Sequence, residues 1–399
     1  MACSPRLPRV RMLYPIYVTG EAVSHITLSL CRHMNNDLTG ATLTSAGHLA
    51  QATTQVRMCE PPSWMFRLLY RLGGDVRRCA ERHYWRKLRP GDIADLWPTC
   101  SLELYRRLKE HGWLVVKEMI NCHQAPTKRL LDREFAREGL TPTHDITAAT
   151  IAQERAELAL ADAIVAPSPK VVESLLNEGV DGAKILPSSF GWDPQRVPAD
   201  LWLKPHRPGE PVVLFIGRGC LRKGIHLLLR AWEKLDRRAR LLIAGQIDPQ
   251  ISERFAGLLA RPDVQCLGYR RDISAVLAQA DVFAFPSLEE GGPQVSYEAL
   301  AVGLPALVSP MGAGAVVRDG VEGLVLAPHD LDDWVAALRR LIDDADLRHT
   351  LGQAGVARAR EFTWARVAQG RSRQLIALPA ARSPDPAQER VPSQLAPLR

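Results

Sequence analysis

The 399-residue sequence has no apolar run long enough to cross a bilayer. Its opening stretch, MACSPRLPRVRMLYP, lacks the apolar segment of a secretory signal, so a cytoplasmic protein is expected. No CxxC pair occurs: Cys3, Cys31, Cys59, Cys79, Cys100, Cys122, Cys220 and Cys266 are scattered. That argues against zinc and against a disulfide framework, and fits a reducing compartment. The GxxxxGK[ST] order of a P-loop is missing, as is any recognisable nucleic-acid-binding motif, so a nucleic-acid partner is not expected. There is no internal repeat.

What is present begins with size. The chain exceeds one ordinary core, so two domains are expected, and its 46% hydrophobic and 24% charged content fits a soluble globular protein. The net charge of +7 is unevenly placed. Residues 64–89, WMFRLLYRLGGDVRRCAERHYWRKLR, carry eight Lys or Arg against Asp75 and Glu81, interleaved with Trp64, Phe66, Tyr70, Tyr84 and Trp85. Such a segment suits an anionic membrane surface or an anionic acceptor, which would make the protein peripheral on the inner face of the plasma membrane. It equally suits a solvated basic helix whose aromatic side chains enter the core.

The second half alternates short, fully apolar runs with amphipathic stretches. VVLFIG (212–217), RLLIAG (240–245), VQCLG (264–268), DVFAFPS (281–287), PALVS (305–309) and GLVLA (323–327) read as buried strands. Between them, Ile225, Leu228, Leu229, Trp232 and Leu235 share one helical face, and Leu331, Trp334, Val335, Leu338, Leu341 and Ile342 another. The first half repeats the theme at VRMLYPIY (10–17), DIADLWP (92–98), WLVVKEMI (113–120) and DAIVAPS (162–168), with a helix through Val23, Ile26, Leu30 and Met34. The pattern predicts an α/β protein with two doubly wound, Rossmann-like domains, 1–195 and 196–378. A proline-rich join is placed at 191–211, and a disordered tail at 379–399.

In open parallel sheets, ligands lie beyond the carboxyl ends of strands. Two such turns carry phosphate-binding chemistry. In FIGRGCLRKGIHLLL (215–229), Arg218 and Lys223 follow a strand and are expected to project into one crevice, where a guanidinium and an ammonium suit a diphosphate. The bland alternative is two surface cations. In LEEGGPQVSYEALAVGLPALVS (288–309), Gly291, Gly292 and Pro293 open a helix, with Pro293 at its first position, and the glycines permit close approach of a ligand to the backbone. Glu290 precedes the turn. Glu298 lies inside the helix, on a face otherwise made of Val295, Ala299 and Val302. A carboxylate there needs a partner, and sugar or ribose hydroxyls would supply one. Alternatively, Glu289 and Glu290 are loop charges and Glu298 pairs with a neighbouring basic residue.

The order strand, Gly-Arg, Lys-Gly, helix, then Glu-Gly-x-Pro-x-x-x-x-Glu-Ala-Leu-Ala-x-Gly-x-Pro resembles glycosyltransferase group 1 (family 4), the retaining GT-B enzymes that use nucleotide sugars. GAGAVVRDGVEGLVLAPHDLDDWVAALRRLIDD and REFTW look like its closing segment, and LALADAIVAPSPKVVESLLNEGVDGAKI with FGWD is similar to the end of its N-terminal domain. The likeness covers residues 150 to 365 well and the first 150 weakly.

The resemblance implies that Glu298 holds the donor's ribose hydroxyls, Arg218 and Lys223 neutralise its diphosphate, Glu290 contacts the transferred sugar, and the backbone of 291–293 lines the same pocket. It implies no metal and no cofactor. His123, just beyond a strand in VVKEMINCHQ, matches a histidine that the family often turns to the sugar, although a lone histidine there also suits a structural role. Gly20 in PIYVTGEAVSH lies in the expected acceptor loop, where relatives commonly have a Gly-Gly pair; here Thr19 precedes it. A second departure is Ala315, where many relatives place a glutamate. The expected activity is therefore transfer of a sugar from a nucleotide-diphosphate sugar to a saccharide, lipid-linked or small-molecule acceptor, serving polysaccharide biosynthesis. A sugar-nucleotide epimerase of the same fold and an inactive membrane- or partner-binding relative are the rival readings.

Overall fold

Branched and aromatic residues fill strands such as VVLFI (212–216) and VFAF (282–285), which are buried on both faces. The computed structural model describes residues 9–48, 56–60, 71, 74–197 and 209–379. The first sheet contains β1 (Arg9–Val18), β2 (Gly40–His48), β3 (Asp92–Leu96), β4 (Leu114–Glu118), β5 (Ala163–Ala166) and β6 (Ile185–Pro187), in the order β2-β1-β3-β4-β5-β6. The second contains β7 (Val212–Ile216), β8 (Arg240–Ala244), β9 (Val264–Gly268), β10 (Val282–Phe285), β11 (Ala306–Val308) and β12 (Gly323–Val325), in the order β12-β11-β10-β7-β8-β9. Both sheets are parallel. The doubly wound α/β expectation holds for each.

Two strands escaped the sequence reading. GATLTSAGH makes β2 only because it pairs with β1 from Arg9↔Gly40 to Val18↔His48; its Ala, Gly, Ser and Thr residues carry no hydrophobic signal of their own. β6 is three residues long and ends in proline at a sheet edge, where no further ladder bond is required. The helix faces were legible. Ile225, Leu228, Leu229 and Trp232 are buried in the helix Ile225–Glu233, as are Trp334, Leu338 and Leu341 in Leu331–Asp343. Each large apolar side chain so buried contributes about 1.5–3 kcal/mol.

Contacts divide the chain into two compact units: Met1–Glu118 with Arg155–Ile164 and Arg371–Arg399, and Met119–Glu154 with Val165–Gly370. The two sheets lie on either side of position 195 in sequence, whereas the units interleave. In the first unit the C-terminal stretch is tied down by Arg371, whose guanidinium donates to both Glu118 carboxylate oxygens at 2.6 and 2.7 Å. Residues 198–208 of the expected join, and the expected tail beyond Pro379, lie outside the described residues.

Residues 64–70 and 72–73 of the basic segment lie outside the described residues. The remainder forms the helix Val76–Lys87, capped by Asp75, whose side chain accepts from the Arg78 amide. Tyr84 does enter the core, donating its hydroxyl to the Arg11 carbonyl at 2.8 Å, and buried Glu81 accepts from the Ser101 amide and hydroxyl at 2.7 Å each. Arg77, Arg78, Arg82, Arg86 and Lys87 stay exposed. Trp85 is half-buried beneath the Arg107 guanidinium, 4.0 Å from the ring centroid.

Candidate functional site

The second sheet reverses its winding between β7 and β10, which are neighbours although three strands apart in sequence. The turns leaving these two strands are the two motif-bearing stretches, so sheet topology brings together what the sequence separates by 67 residues. Contact between them is close. Arg222 carbonyl accepts from the Leu288 amide at 2.9 Å and from the Ser287 hydroxyl at 3.2 Å. Gly224 sits at φ +69°, and a Cβ there would fall 1.9 Å from the Pro286 carbonyl oxygen, so only glycine closes this turn.

Two doublets of opposite charge then meet in order. Arg222 donates to Glu289 at 3.0 Å, and Lys223 donates to Glu290, whose carboxylate also accepts from Ser287 at 3.0 Å. Glu289 and Glu290 are buried, so neither is the loop charge of the bland reading. Arg222 and Glu289 were not among the expected site residues, although the paired doublets Arg222-Lys223 and Glu289-Glu290 at strand ends were the available signal.

Arg218 behaves differently. Its side chain is 69% exposed and donates to Asp248 at 2.7 Å, which holds the guanidinium pKa above its ordinary value. Arg218 and Lys223, expected in one crevice, pair with different carboxylates: Asp248 after β8 and Glu290 after β10. Pro293 also shifts by one place. It caps the helix Gln294–Ala301 and does not occupy its first position.

Glu298 is buried in that helix, as the sequence requires it to be. Burial pushes its pKa up; Arg196 pulls it down and Asp193 adds to the rise. The closest ion pair is to Arg196 Nη1 at 3.8 Å, beyond hydrogen-bond reach. The alternative of a basic neighbour is thus partly met, but by a long contact to a guanidinium that is itself 37% exposed.

His123 turns out to be an N-cap. It starts the helix Gln124–Glu138, its Nδ1 accepts from the Ala125 amide at 3.0 Å, and its own amide donates to Ser174 at 3.1 Å. The ring is buried, and Glu154 lies 3.5 Å from Nδ1. The structural role weighed for this histidine is thus present, in the form of a helix cap. The preceding Cys122 amide donates to Glu289 at 3.0 Å, and a Cβ on Gly291 would lie 1.9 Å from the Ile120 carbonyl oxygen. The 119–123 loop therefore seats directly on the Glu289-Glu290-Gly291 turn. Burial pushes the Cys122 thiol up to about 12, with Glu289 adding to it, which favours the protonated form.

Among the described residues one cluster has metal-ligand composition: Glu134, Glu138 and His226 offer atoms within 4.8 Å of one another. Arg230 already donates to Glu138 at 2.6 Å, Arg254 stands 3.7 Å from it, and His226 Nε2 pairs with Glu134 at 2.8 Å. Guanidinium charge at this place opposes a divalent cation.

In the first unit, Gly20 follows β1 at φ +82°, and its amide donates to Ser24 at 2.9 Å. Ala22 at φ +48° and Thr99 at φ +75° are the two non-glycine residues of positive φ among the described residues. Ala22 opens the helix Ala22–His33 that follows β1, and Thr99 lies in the loop after β3; these are the neighbouring strands where the first sheet reverses. Strain of this kind costs of order 1–3 kcal/mol per residue and gathers at functional loops.

The chain is similar to known proteins in both sequence and fold. A family model described as "Glycosyl transferases group 1" matches residues 210–344. A D-inositol 3-phosphate glycosyltransferase of Corynebacterium aurimucosum is 30% identical over 308 residues, 72% of this chain and 68% of that protein. Among solved structures, a sucrose-phosphate synthase from Thermosynechococcus elongatus superposes with a TM-score of 0.69 at 20% identity, over 93% of this chain and 99% of its own. HepE of Anabaena, solved with UDP and glucose, gives 0.66 at 16% identity, over 93% and 100%. At such identities the superpositions speak for the fold.

Proposed function

The chain belongs to the group 1 (family 4) glycosyltransferases of GT-B fold, and on that premise we propose that it carries a sugar from a nucleotide-diphosphate sugar to a hydroxyl acceptor with retention at the anomeric carbon. The observation that carries this reading is the meeting of Arg222-Lys223 with Glu289-Glu290 at the reversal of the second sheet, where open α/β sheets bind ligands. Lys223 donates to the Glu290 carboxylate in the structure. Donor binding moves Lys223, with Arg218, onto the diphosphate and frees Glu290 for the sugar. Glu298 accepts from the ribose hydroxyls, and the backbone of Gly291, Gly292 and Pro293 lines the pocket. His123 spends Nδ1 on its helix, so its contact with the sugar falls to the other edge of the ring.

Retention follows from a front-face route in which the leaving phosphate itself takes the acceptor proton. The protein then supplies alignment and fixed positive charge for the departing nucleoside diphosphate. Two side-chain cations and a helix start suffice for that without a metal. The acceptor side is the turn and helix start after β1, with Gly20 and Ala22, together with the loop after β3, with Thr99. A saccharide, a lipid-linked saccharide or a small polyol phosphate, as the name of the Corynebacterium relative indicates, suits it.

A panel of sugar nucleotides tests the donor site by thermal stabilisation and by turnover. At a ligand concentration a hundredfold above its dissociation constant, the matching donor should add about 2.7 kcal/mol of stability. Turnover should be unchanged by EDTA. A panel without any stabilising member, or activity lost in EDTA and restored by magnesium, would contradict the donor assignment or the metal independence respectively.

The exposed cations of Val76–Lys87 support peripheral contact with an anionic membrane. Arg78, Arg82 and Arg86 succeed each other at four-residue spacing, an arrangement that costs helix stability unless an anionic surface meets it. No helix among the described residues is long and apolar enough to cross a membrane. With about 1 kcal/mol per basic residue, reversing these three to glutamate should weaken flotation with phosphatidylglycerol vesicles on the order of a hundredfold. A wild-type chain that ignores such vesicles would end this part of the proposal.

A further inference from the structure

We propose that Glu289 is a positioning residue for transfer: it clamps the loop carrying His123 to the turn carrying Glu290, through the Cys122 amide on one side and the Arg222 guanidinium on the other. This rests on the glycosyl-transfer reading and adds a role to a residue that the donor motif does not include. The side chain is 2% exposed, a costly place for a carboxylate. Both oxygens are used, and each reaches a different segment. Oε1 accepts from Cys122 N at 3.0 Å, and Oε2 accepts from Arg222 Nη1 at 3.0 Å. The Arg222 carbonyl is held in turn by the amides of Leu288 and Glu289, at 2.9 and 3.4 Å. One buried carboxylate thereby joins three stretches: 220–224, 287–291 and 119–123.

The loop so held has little other freedom. Cys122 Sγ lies 3.5 Å from the Glu290 carbonyl, and Ile120 touches Gly291 without room for a methyl group. The next peptide leads to His123, and the Gln124 amide is fixed by Glu154 at 2.7 Å. Glu289 therefore sets the spacing between two groups assigned to the transferred sugar. It touches neither the nucleotide nor the diphosphate in this assignment. A displacement of about 1 Å at a reacting centre can cost on the order of a hundredfold in rate while leaving distant binding contacts intact.

The test compares Glu289→Leu and Glu289→Gln with the wild type. Leucine removes both acceptors; glutamine keeps a carbonyl for Cys122 and loses the charge facing Arg222. With the wild-type donor, Glu289→Leu should lower kcat on the order of 10- to 100-fold, while the affinity for the nucleoside diphosphate, read by calorimetry, stays within about threefold. Glu289→Gln should recover most of the loss and serves if the leucine variant does not fold. An unchanged kcat in the leucine variant, or a parallel fall of kcat and nucleotide affinity, would overturn the positioning role while wild-type transfer continues. A wild-type chain that binds no nucleotide and moves no sugar would instead overturn the transfer reading, and this role with it.

Discussion

Glu298→Gln is expected to remove nearly all transfer while leaving the ligand-free protein as stable as before, or more so. The loss follows from the assigned contacts. A hydrogen bond to a charged acceptor is worth about 1.5–3 kcal/mol. Two ribose hydroxyls docked on one carboxylate thus amount to at least a hundredfold in kcat/KM, most of it in donor binding. The stability side follows from burial. Glu298 is enclosed, and its pKa is raised by desolvation that Arg196, 3.8 Å away, only partly opposes. The folded state therefore keeps this proton to higher pH than the unfolded chain does. Its contribution to stability is greatest below the ordinary carboxylate value and declines as pH rises through the window up to the raised value. At neutral pH a neutral amide avoids that penalty, and the ligand-free melting temperature should hold or rise. Donor KM should increase as pH falls through the same window in the wild type, but not in the variant. A variant with wild-type KM, or one that melts well below the wild type, would show that Glu298 serves the fold and not the donor.

Gly291→Ala should be the most damaging small substitution in the site. The added methyl carbon would meet the Ile120 carbonyl oxygen at 1.9 Å and its carbon at 2.4 Å. Both are backbone atoms, so no rotamer change relieves the contact. The 119–123 loop must lift from the turn, which breaks the Cys122–Glu289 hydrogen bond and shifts His123 relative to Glu290. Overpacking of this kind typically costs about 1–3 kcal/mol. Activity should fall further than stability, by more than about a hundredfold, because the displaced atoms flank the proposed sugar site. Gly257→Ala, where a Cβ would meet nothing within 4 Å, is the matched control and should keep both properties. Activity of Gly291→Ala within twofold of wild type would mean that the loop and the turn need not touch during transfer.

Much of the second half was legible because its signals are local. Strands such as VVLFIG and helices such as Ile225–Glu233 declare themselves by apolar runs and by periodicity, and their buried faces are those the spacing names. The glycines and the buried Glu298 were equally readable, since each answers a local demand of backbone or burial. β2 was not readable, because its small and polar residues become a strand only against β1. His123 was legible as a candidate but not as a helix cap. The partners of its loop, Ser174 and Glu154, lie far along the chain.

By itself, then, the sequence determined two doubly wound sheets and the residue types of the proposed donor site, since both are written in short windows of hydrophobicity, glycine and charge. Only the tertiary structure decided who pairs with whom: Lys223 with Glu290, Arg222 with Glu289, Arg218 with Asp248, and the Cys122 amide with Glu289. The reason is topological. β7 and β10 become neighbours only when the second sheet reverses its winding, and a carboxylate under burial takes the donor that the sheet places nearest, however distant in sequence.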